Sequence, residues 1–158
     1  MARILEGIRV LDFTEGHMGS YGTMILSDFG AEVIKLENIA DGDMMRLRAP
    51  KNEKGSAYHA YLNRGKKSVC VDRHTEEGRE IILELISHSD VVCECFPAGE
   101  LESCGLGYED ACRVKPDIIY ASHTGFGKTG PLSNTAGSDL TAEAVTGLMD
   151  VTGHDGSI

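Results

Sequence analysis

Three glycines follow the first apolar segment of the chain and could build a site for an anion. They are Gly16, Gly19 and Gly22, and they lie between a strand pattern at residues 8–13 and a helical pattern that ends near Phe29. Where a strand turns into a helix, free backbone N–H groups and the helix dipole favour negative charge, commonly a phosphate. The spacing G-x-x-G-x-x-G is not the G-x-G-x-x-G of dinucleotide sites, so a sharp turn and close helix packing also explain these glycines.

A second candidate for anion binding is a basic segment between residues 46 and 73. The chain has a formal net charge of −10, which argues against nucleic acid as a general partner. The segment nevertheless has an excess of six positive charges, which either face an anion or belong to a solvated loop. Its basic residues are Arg46, Arg48, Lys51, Lys54, Arg64, Lys66, Lys67 and Arg73.

The cysteines indicate reduced thiols rather than a metal centre or a disulfide framework. Their number is odd, and most of them occur in apolar or helical surroundings. The spacing of the last four matches no common zinc site, so no metal is expected. We find neither a secretory signal nor an apolar run of bilayer length, and we therefore expect a cytoplasmic protein without a membrane partner. The cysteines are Cys70, Cys93, Cys95, Cys104 and Cys112.

Short apolar strands alternate with helices along the chain, which predicts an α/β protein with a doubly wound, mainly parallel sheet. Strands are predicted at residues 8–13, 33–36, 67–71, 91–95 and 118–122. The first helix should bury Met24, Ile25 and Phe29. A later helix, capped by Thr75, should bury the stripe Ile81, Ile82, Leu85 and Ile86. Further helices are predicted at residues 57–62, 108–114 and 139–149, and a long polar surface loop at residues 38–56.

Ligands of such sheets bind beyond the carboxyl ends of the strands. Those ends carry His17, Glu37, residues 72–74, Cys95 with Phe96, and residues 123–127. The chain stops after its last helix without a further strand. We therefore expect residues 1–158 to be the N-terminal portion of a longer protein.

The ordered motifs resemble those of the class III CoA-transferases, the CaiB/BaiF family. The resemblance begins with LEGIRVLDFT, SDFGAEVIKLE and a GD before MMR, and continues with LNRGKKSVCVD and EEGREIILELISHSDVVCECF. It ends with GLGYED, KPDIIYASHTGFGKTGP and GSDLTAEAVTGLMDVTG, so it covers nearly the whole chain.

The resemblance implies an enzyme that moves CoA from an acyl-CoA to a free carboxylic acid through an aspartyl intermediate. It also implies a Rossmann-like large domain, of which this chain is an incomplete part, and a homodimer of the full-length protein. The CoA thioester is a substrate, and no permanent cofactor is expected.

The resemblance places the nucleophilic aspartate just beyond Ile158, so this chain alone should not catalyse. Asp139 matches an acidic position beside the active site, although it could equally be the N-cap of the last helix. The positions that match CoA contacts, together with Arg46 from the basic segment, are His17, Met18, Asn38, Arg46, Val71, His74, Cys95, Phe96 and Ser138.

Three of the matches depart from the family pattern. Asn38 and Ser103 stand where arginine is frequent, and Cys95 stands where asparagine is frequent. Each lost arginine removes a charge-assisted phosphate contact of about 1.5–3 kcal/mol, which the basic segment around Arg46 could replace. Ser138 stands where the racemase branch has a catalytic histidine, which disfavours racemase activity because serine is a poor base near neutral pH.

Two alternative functions remain open. The chain could belong to a non-catalytic partner subunit that holds CoA without performing chemistry. It could also be an NAD-dependent dehydrogenase, with Glu37 on the ribose, but this reading leaves the later motifs unexplained. His17, in an exposed turn, is expected either to contact the nucleotide or to be merely solvated.

Overall fold

The computed structural model describes residues 3–153 of the chain. They divide into two compact units, Met1–His123 and Thr124–Ile158. The first unit contains the sheet. The second contains a loop followed by two short helices, and each unit is described by itself below.

The first unit is built on a parallel five-stranded sheet. The strands of the chain are β1 (Arg9–Asp12), β2 (Glu32–Glu37), β3 (Lys51–Asn52), β4 (Gly55–Ser56), β5 (Lys67–Cys70), β6 (Val91–Glu94) and β7 (Ile119–Ser122). The main sheet has the order β5-β2-β1-β6-β7, while β3 and β4 form a separate antiparallel hairpin. Counted without that hairpin, the order is third, second, first, fourth, fifth, which is the doubly wound arrangement of nucleotide-binding sheets. The predicted fold class is therefore confirmed.

Helices cover both faces of this sheet. They are α1 (Met18–Asp28), α2 (Ala57–Leu62), α3 (Glu76–Ser87), α4 (Glu100–Ser103) and α5 (Tyr108–Val114), and a 3₁₀ helix spans Met44–Leu47. The larger core cluster combines Leu11 and Val92 of the sheet with Ile82 and Ile86 of α3. A smaller cluster on the other face contains Val10 and Val33 with the partly buried Leu26 of α1. Since successive strand residues point to opposite faces, Val10 and Leu11 serve different clusters.

The helix predictions were right in type but partly wrong about the buried side chains. Met24 is buried as predicted, but Phe29 caps the C-terminus of α1 and its side chain is 51% exposed. The buried face of α1 consists instead of Ser20, Thr23, Met24 and Ser27, because it lies over a polar cluster that is described below. In α3 the Thr75 cap is confirmed, and Ile82 and Ile86 are buried, whereas Ile81 is exposed.

Three further predictions of local structure were wrong. Residues 38–56 are not a plain loop, since they contain the 3₁₀ helix and the hairpin. The predicted helix at 139–149 is two helices of the second unit, α6 (Asp139–Thr146) and α7 (Leu148–Val151), which are separated by Gly147 at a φ of 78°. The N-cap of α6 is Ser138 and not Asp139, because the Ser138 hydroxyl accepts a hydrogen bond from the amide of Thr141. Helix α4 was not predicted.

Candidate functional site

By its topology, the sheet has a crevice for a ligand between the loops that follow β1 and β6. These strands are neighbours, and the strand order reverses on either side of them, as at the ligand crevice of other doubly wound sheets. A thiol joins the two loops. The Glu15 amide donates to Cys95 Sγ over 3.0 Å, and the Cys95 thiol donates to the Glu15 carbonyl over 3.4 Å. Cys95 thus holds the rim of the crevice together.

The three glycines after β1 differ in what the structure requires of them. Gly16 has a φ of 75°, which the turn into α1 requires. A Cβ on Gly19 would lie 2.5 Å from the Thr14 Cβ, so this glycine lets α1 approach β1 closely. Gly22 meets neither need, because a Cβ there would have nothing within 4 Å. No described side chain caps the start of α1 at His17, so its first amides lack a side-chain acceptor.

A buried ion pair supports this turn from below. Lys66 Nζ lies 2.9 Å from Asp12 Oδ2, and the two side chains are 1% and 0% exposed. The same ammonium donates to Thr23 Oγ1 over 2.8 Å and to the Ser20 carbonyl over 3.1 Å, both on α1. Lys66 therefore connects β1, α1 and the segment before β5, and it satisfies all three of its protons.

A second buried pair continues the same cluster. Lys35 Nζ lies 2.8 Å from Asp43 Oδ2 and donates to the Thr14 carbonyl over 2.5 Å. Asn63 links the pairs, because its amide oxygen accepts from Lys66 while its Nδ2 lies 3.5 Å from Asp43 Oδ2. We call these five residues, Asp12, Lys35, Asp43, Asn63 and Lys66, the buried polar cluster. It fixes the start of the β1 loop through the carbonyl of Thr14.

Glu37 at the end of β2 is fully engaged within the protein. Arg46 donates to both of its carboxylate oxygens, over 2.6 and 2.7 Å, and Ser68 and the Asp43 amide donate as well. Burial alone would raise the pKa of Glu37, but these hydrogen bonds outweigh it and lower that pKa from 4.5 to about 2. Glu37 and Arg46 neutralise each other's charge, so both are already paired within the protein.

This lowered pKa predicts a specific effect of Glu37→Gln on acid stability. A carboxylate with a lowered folded-state pKa stabilises the fold above its unfolded pKa, and this stabilisation is lost as the pH falls towards the folded value. The wild type should therefore lose more stability than Glu37→Gln between pH 4.5 and about 2. Urea midpoints of both proteins, measured at several pH values from neutrality downwards, test this. Parallel curves for the two proteins would contradict it.

A cleft of about 510 Å³ lies beside the loop that follows β5. Its lining includes Arg73, His74, Arg79, Ser103 and Cys104. The Arg73 guanidinium pairs with Glu100 over 2.7 Å and stacks over the Phe96 ring at 4.4 Å from its centroid. Its Nε is buried and has no hydrogen-bond partner among the described residues. A guanidinium held in this way at the wall of a cleft can offer its accessible N–H groups to an anionic group.

The structure brings together only some of the residues predicted for CoA. Phe96 and His74 flank Arg73, His74 in the lining of the cleft and Phe96 beneath the guanidinium, while Cys95 lies at the crevice rim. Val71 packs against the main core, and its amide donates to the Glu37 carbonyl. The predicted roles of these residues towards CoA stay predictions.

Other predicted residues lie in different surroundings. The His17 ring makes an edge contact with Tyr58 at 5.0 Å between centroids, so this side chain is not merely solvated. Met18 lines an apolar groove along α1, and the Asn38 side chain accepts from the Ala40 amide. Ser138 and Asp139 belong to the second unit, where both are exposed.

The basic segment is mostly neutralised by acidic residues elsewhere in the chain. Five of its eight basic residues form ion pairs, with the partners Arg46–Glu37, Arg64–Asp28, Lys66–Asp12, Lys67–Glu32 and Arg73–Glu100. Its local charge excess, counted along the sequence, therefore overstates the charge it offers to a ligand.

Sequence reasoning included Arg73 only within the basic segment and residues 72–74, and it missed the buried polar cluster altogether. One signal for the cluster was present, because Lys35 interrupts the apolar run of β2. The position of Arg73 over Phe96 was not predictable, because it depends on two loops that are distant in sequence.

Neither a metal site nor a membrane span is found in the described part of the chain. Residues 3–153 contain no group of three or more His, Cys, Asp or Glu side chains that could hold a metal ion. Within the same residues, no helix is both long and apolar enough to cross a bilayer.

Comparison with known proteins gives one consistent result. The model of CoA-transferase family III matches residues 5–157. The chain is 46% identical over 152 residues to human "Succinyl-CoA:glutarate CoA-transferase", covering 96% of this chain and 35% of that protein. It is 38% identical to "Acetyl-CoA:oxalate CoA-transferase" of Acetobacter aceti, covering 94% of this chain and 38% of that protein. A crystal structure of a CaiB/BaiF family protein from Brucella suis superimposes with a TM-score of 0.93 at 38% identity, covering 99% of this chain and 43% of the other. The chain thus spans little more than a third of the length of these curated relatives.

Proposed function

Since this chain belongs to CoA-transferase family III, we propose that it is the CoA-holding part of an enzyme that moves CoA from an acyl-CoA to a carboxylic acid. The cleft at Arg73 carries this proposal. It lies beyond the carboxyl end of β5, and it presents a guanidinium that stacks on Phe96. A phosphate of CoA would bind the N–H groups of this guanidinium that face the cleft.

The transfer itself would use a carboxylate nucleophile that follows Ile158. The aspartate attacks the acyl thioester, which releases the CoA thiolate and leaves a mixed anhydride. The thiolate attacks the aspartyl carbonyl, which frees the first acid and forms an aspartyl-CoA thioester. The acceptor carboxylate then takes the CoA through a second anhydride. The described residues would hold and orient the nucleotide end of CoA during these steps, with Asp139 near the reacting groups.

The names of the relatives suggest the class of acceptor. Glutarate and oxalate, which appear in the names of the two relatives above, are both small dicarboxylic acids. We extend this class to the full-length form of the present protein, which we also propose to be a cytoplasmic homodimer.

Arg73→Met should weaken the binding of CoA to this chain by about ten- to a hundredfold, because a charge-assisted phosphate contact contributes about 1.5–3 kcal/mol. Isothermal titration calorimetry with CoA measures this change. Methionine keeps an apolar side chain of similar length and removes the guanidinium that stacks on Phe96.

Arg113→Met is the matched control. Arg113 is an exposed arginine of α5, and its ion-pair partner among the described residues is Asp110, three residues before it. Unchanged CoA affinity in Arg73→Met, or an equal loss in Arg113→Met, would contradict the placement of the phosphate. If the wild-type chain does not bind CoA, the proposal that it holds CoA is wrong.

The two alternative readings are separated by different observations. A binding-only partner subunit would hold CoA in the same cleft but lack an aspartate after Ile158 in its full-length sequence. A dehydrogenase would bind NAD and use Glu37 on the ribose, yet four donors already engage that carboxylate. Titration of NAD under the same conditions should therefore give no heat of binding.

A further inference from the structure

Cys104 has a histidine neighbour in the cleft beside Arg73. Its Sγ lies 3.6 Å from His74 Nδ1, and both groups belong to the lining of the cleft. His74 follows β5, whereas Cys104 caps the C-terminus of α4, so the pair joins two segments that are 30 residues apart. A neutral imidazole with its proton on Nε2 can accept the thiol proton at Nδ1. The proposed binding of CoA involves this cleft, but it requires no role for the Cys104 thiol.

The other four cysteines do not combine partial exposure with a neighbouring histidine among the described residues. Burial raises the pKa of Cys93 to about 12, and it also raises the pKa of Cys95, whose sulfur is already engaged by Glu15. Cys112 hydrogen-bonds with Tyr108. Cys70 is exposed, but no described histidine is hydrogen-bonded to it. Among the described thiols, Cys104 is therefore the one that is both partly exposed and close to a proton acceptor.

Two guanidinium groups line this cleft. Each pairs with one carboxylate, Arg73 with Glu100 and Arg79 with Glu76, and its remaining N–H groups can still donate to an anion. Glu76 is the carboxylate among the lining residues. The Arg79 side chain lies directly over the residue after Cys104, because a Cβ on Gly105 would lie 3.2 Å from Arg79 Cδ and 3.9 Å from its Nη1. An anionic molecule in the cleft can thus accept hydrogen bonds from these groups within reach of the thiol.

We propose that Cys104 is a thiol–disulfide exchange site for small anionic disulfides, with His74 as the proton acceptor. The thiol passes its proton to His74 Nδ1, and the thiolate attacks one sulfur of the disulfide. A new S–S bond forms to Cys104 while the original S–S bond breaks. The departing thiolate takes a proton from the imidazolium, so the products are a mixed disulfide and one free thiol. The disulfide is the only oxidant required, and the proposal holds whether or not the cleft binds CoA.

The test compares two disulfides of opposite charge on the unmodified chain. The chain is incubated with anionic glutathione disulfide or with cationic cystamine, and peptide mass spectrometry follows the modification of each cysteine over time. Glutathione disulfide should modify Cys104 about tenfold faster than Cys70, whereas cystamine should show no such preference. The exposed Cys70 serves as an internal control in each reaction.

Two variants test the role of the histidine and the identity of the thiol. His74→Gln should slow the modification of Cys104 by glutathione disulfide about tenfold and leave Cys70 unchanged. Cys104→Ser should abolish the fast phase. Cys93 reports folding in both, since burial shields it in the folded chain and its rate would rise on unfolding. Equal rates at Cys104 and Cys70, or a preference for cystamine, would overturn the proposal even if both variants failed to fold.

Discussion

Replacement of Lys66 by methionine should lower the free energy of unfolding by about 3–5 kcal/mol, because it leaves Asp12 as an unpaired charge in the interior. The ammonium of Lys66 lies 2.9 Å from Asp12 Oδ2, and both side chains are almost completely buried. Burial lowers the pKa of Lys66, and the neighbouring Asp12 opposes that shift. The measurement is the urea midpoint at neutral pH.

Lys67→Met is the matched control in the next residue. Lys67 pairs with Glu32, but its side chain is 67% exposed. Such surface pairs contribute about 0–1 kcal/mol, so this variant should be nearly as stable as the wild type. The double variant Asp12→Asn with Lys66→Met should lose less stability than the sum of its single changes, because it removes the isolated charge. A loss below about 1 kcal/mol in Lys66→Met would contradict a structural role of the pair.

Gly78→Ala should destabilise the chain by about 3 kcal/mol, at the upper end of the range for overpacking. Gly78 lies in the first turn of α3, where alanine is normally preferred to glycine by about 1 kcal/mol. Here, however, a Cβ would lie 1.8 Å from the Asp72 carbonyl oxygen, a backbone atom that cannot rotate away. Alanine must therefore push α3 away from the loop that carries Arg73 and His74. Thermal or urea denaturation measures the loss.

Gly22→Ala should change stability in the opposite direction, although this glycine also lies within a helix. This glycine lies in α1, and a Cβ there would have open space around it. Alanine should stabilise the chain by about 0.5–1 kcal/mol, since it restricts the unfolded backbone without a clash. The comparison fails if both alanines change stability in the same direction.

The fold was predictable because its signals are local. The central strands β1, β2 and β6 lie in short apolar segments, and the caps and apolar stripes of α3 and α5 follow helical spacing. Central parallel strands are covered on both faces, so they read as apolar runs rather than as an alternation of apolar and polar residues. The family motifs are likewise local strings, so the family assignment was confirmed.

The details of the site were less predictable because they depend on contacts between distant residues. The eight basic residues between positions 46 and 73 gave no indication that five of them would pair with acidic residues. Thr23 and Ser20 look like solvent-facing residues of α1, yet they surround the ammonium of Lys66. Such pairings follow from how elements are packed together, and a single sequence does not record them.

The buried polar cluster also constrains how this protein can diverge. A change of Asp12 or Lys66 alone is costly, whereas a joint change to uncharged residues of similar volume is tolerated far better. The same holds for Lys35 and Asp43. Among relatives, each pair should therefore be inherited or lost as a unit, and these coupled positions should be separable from the freely varying lysines at the surface.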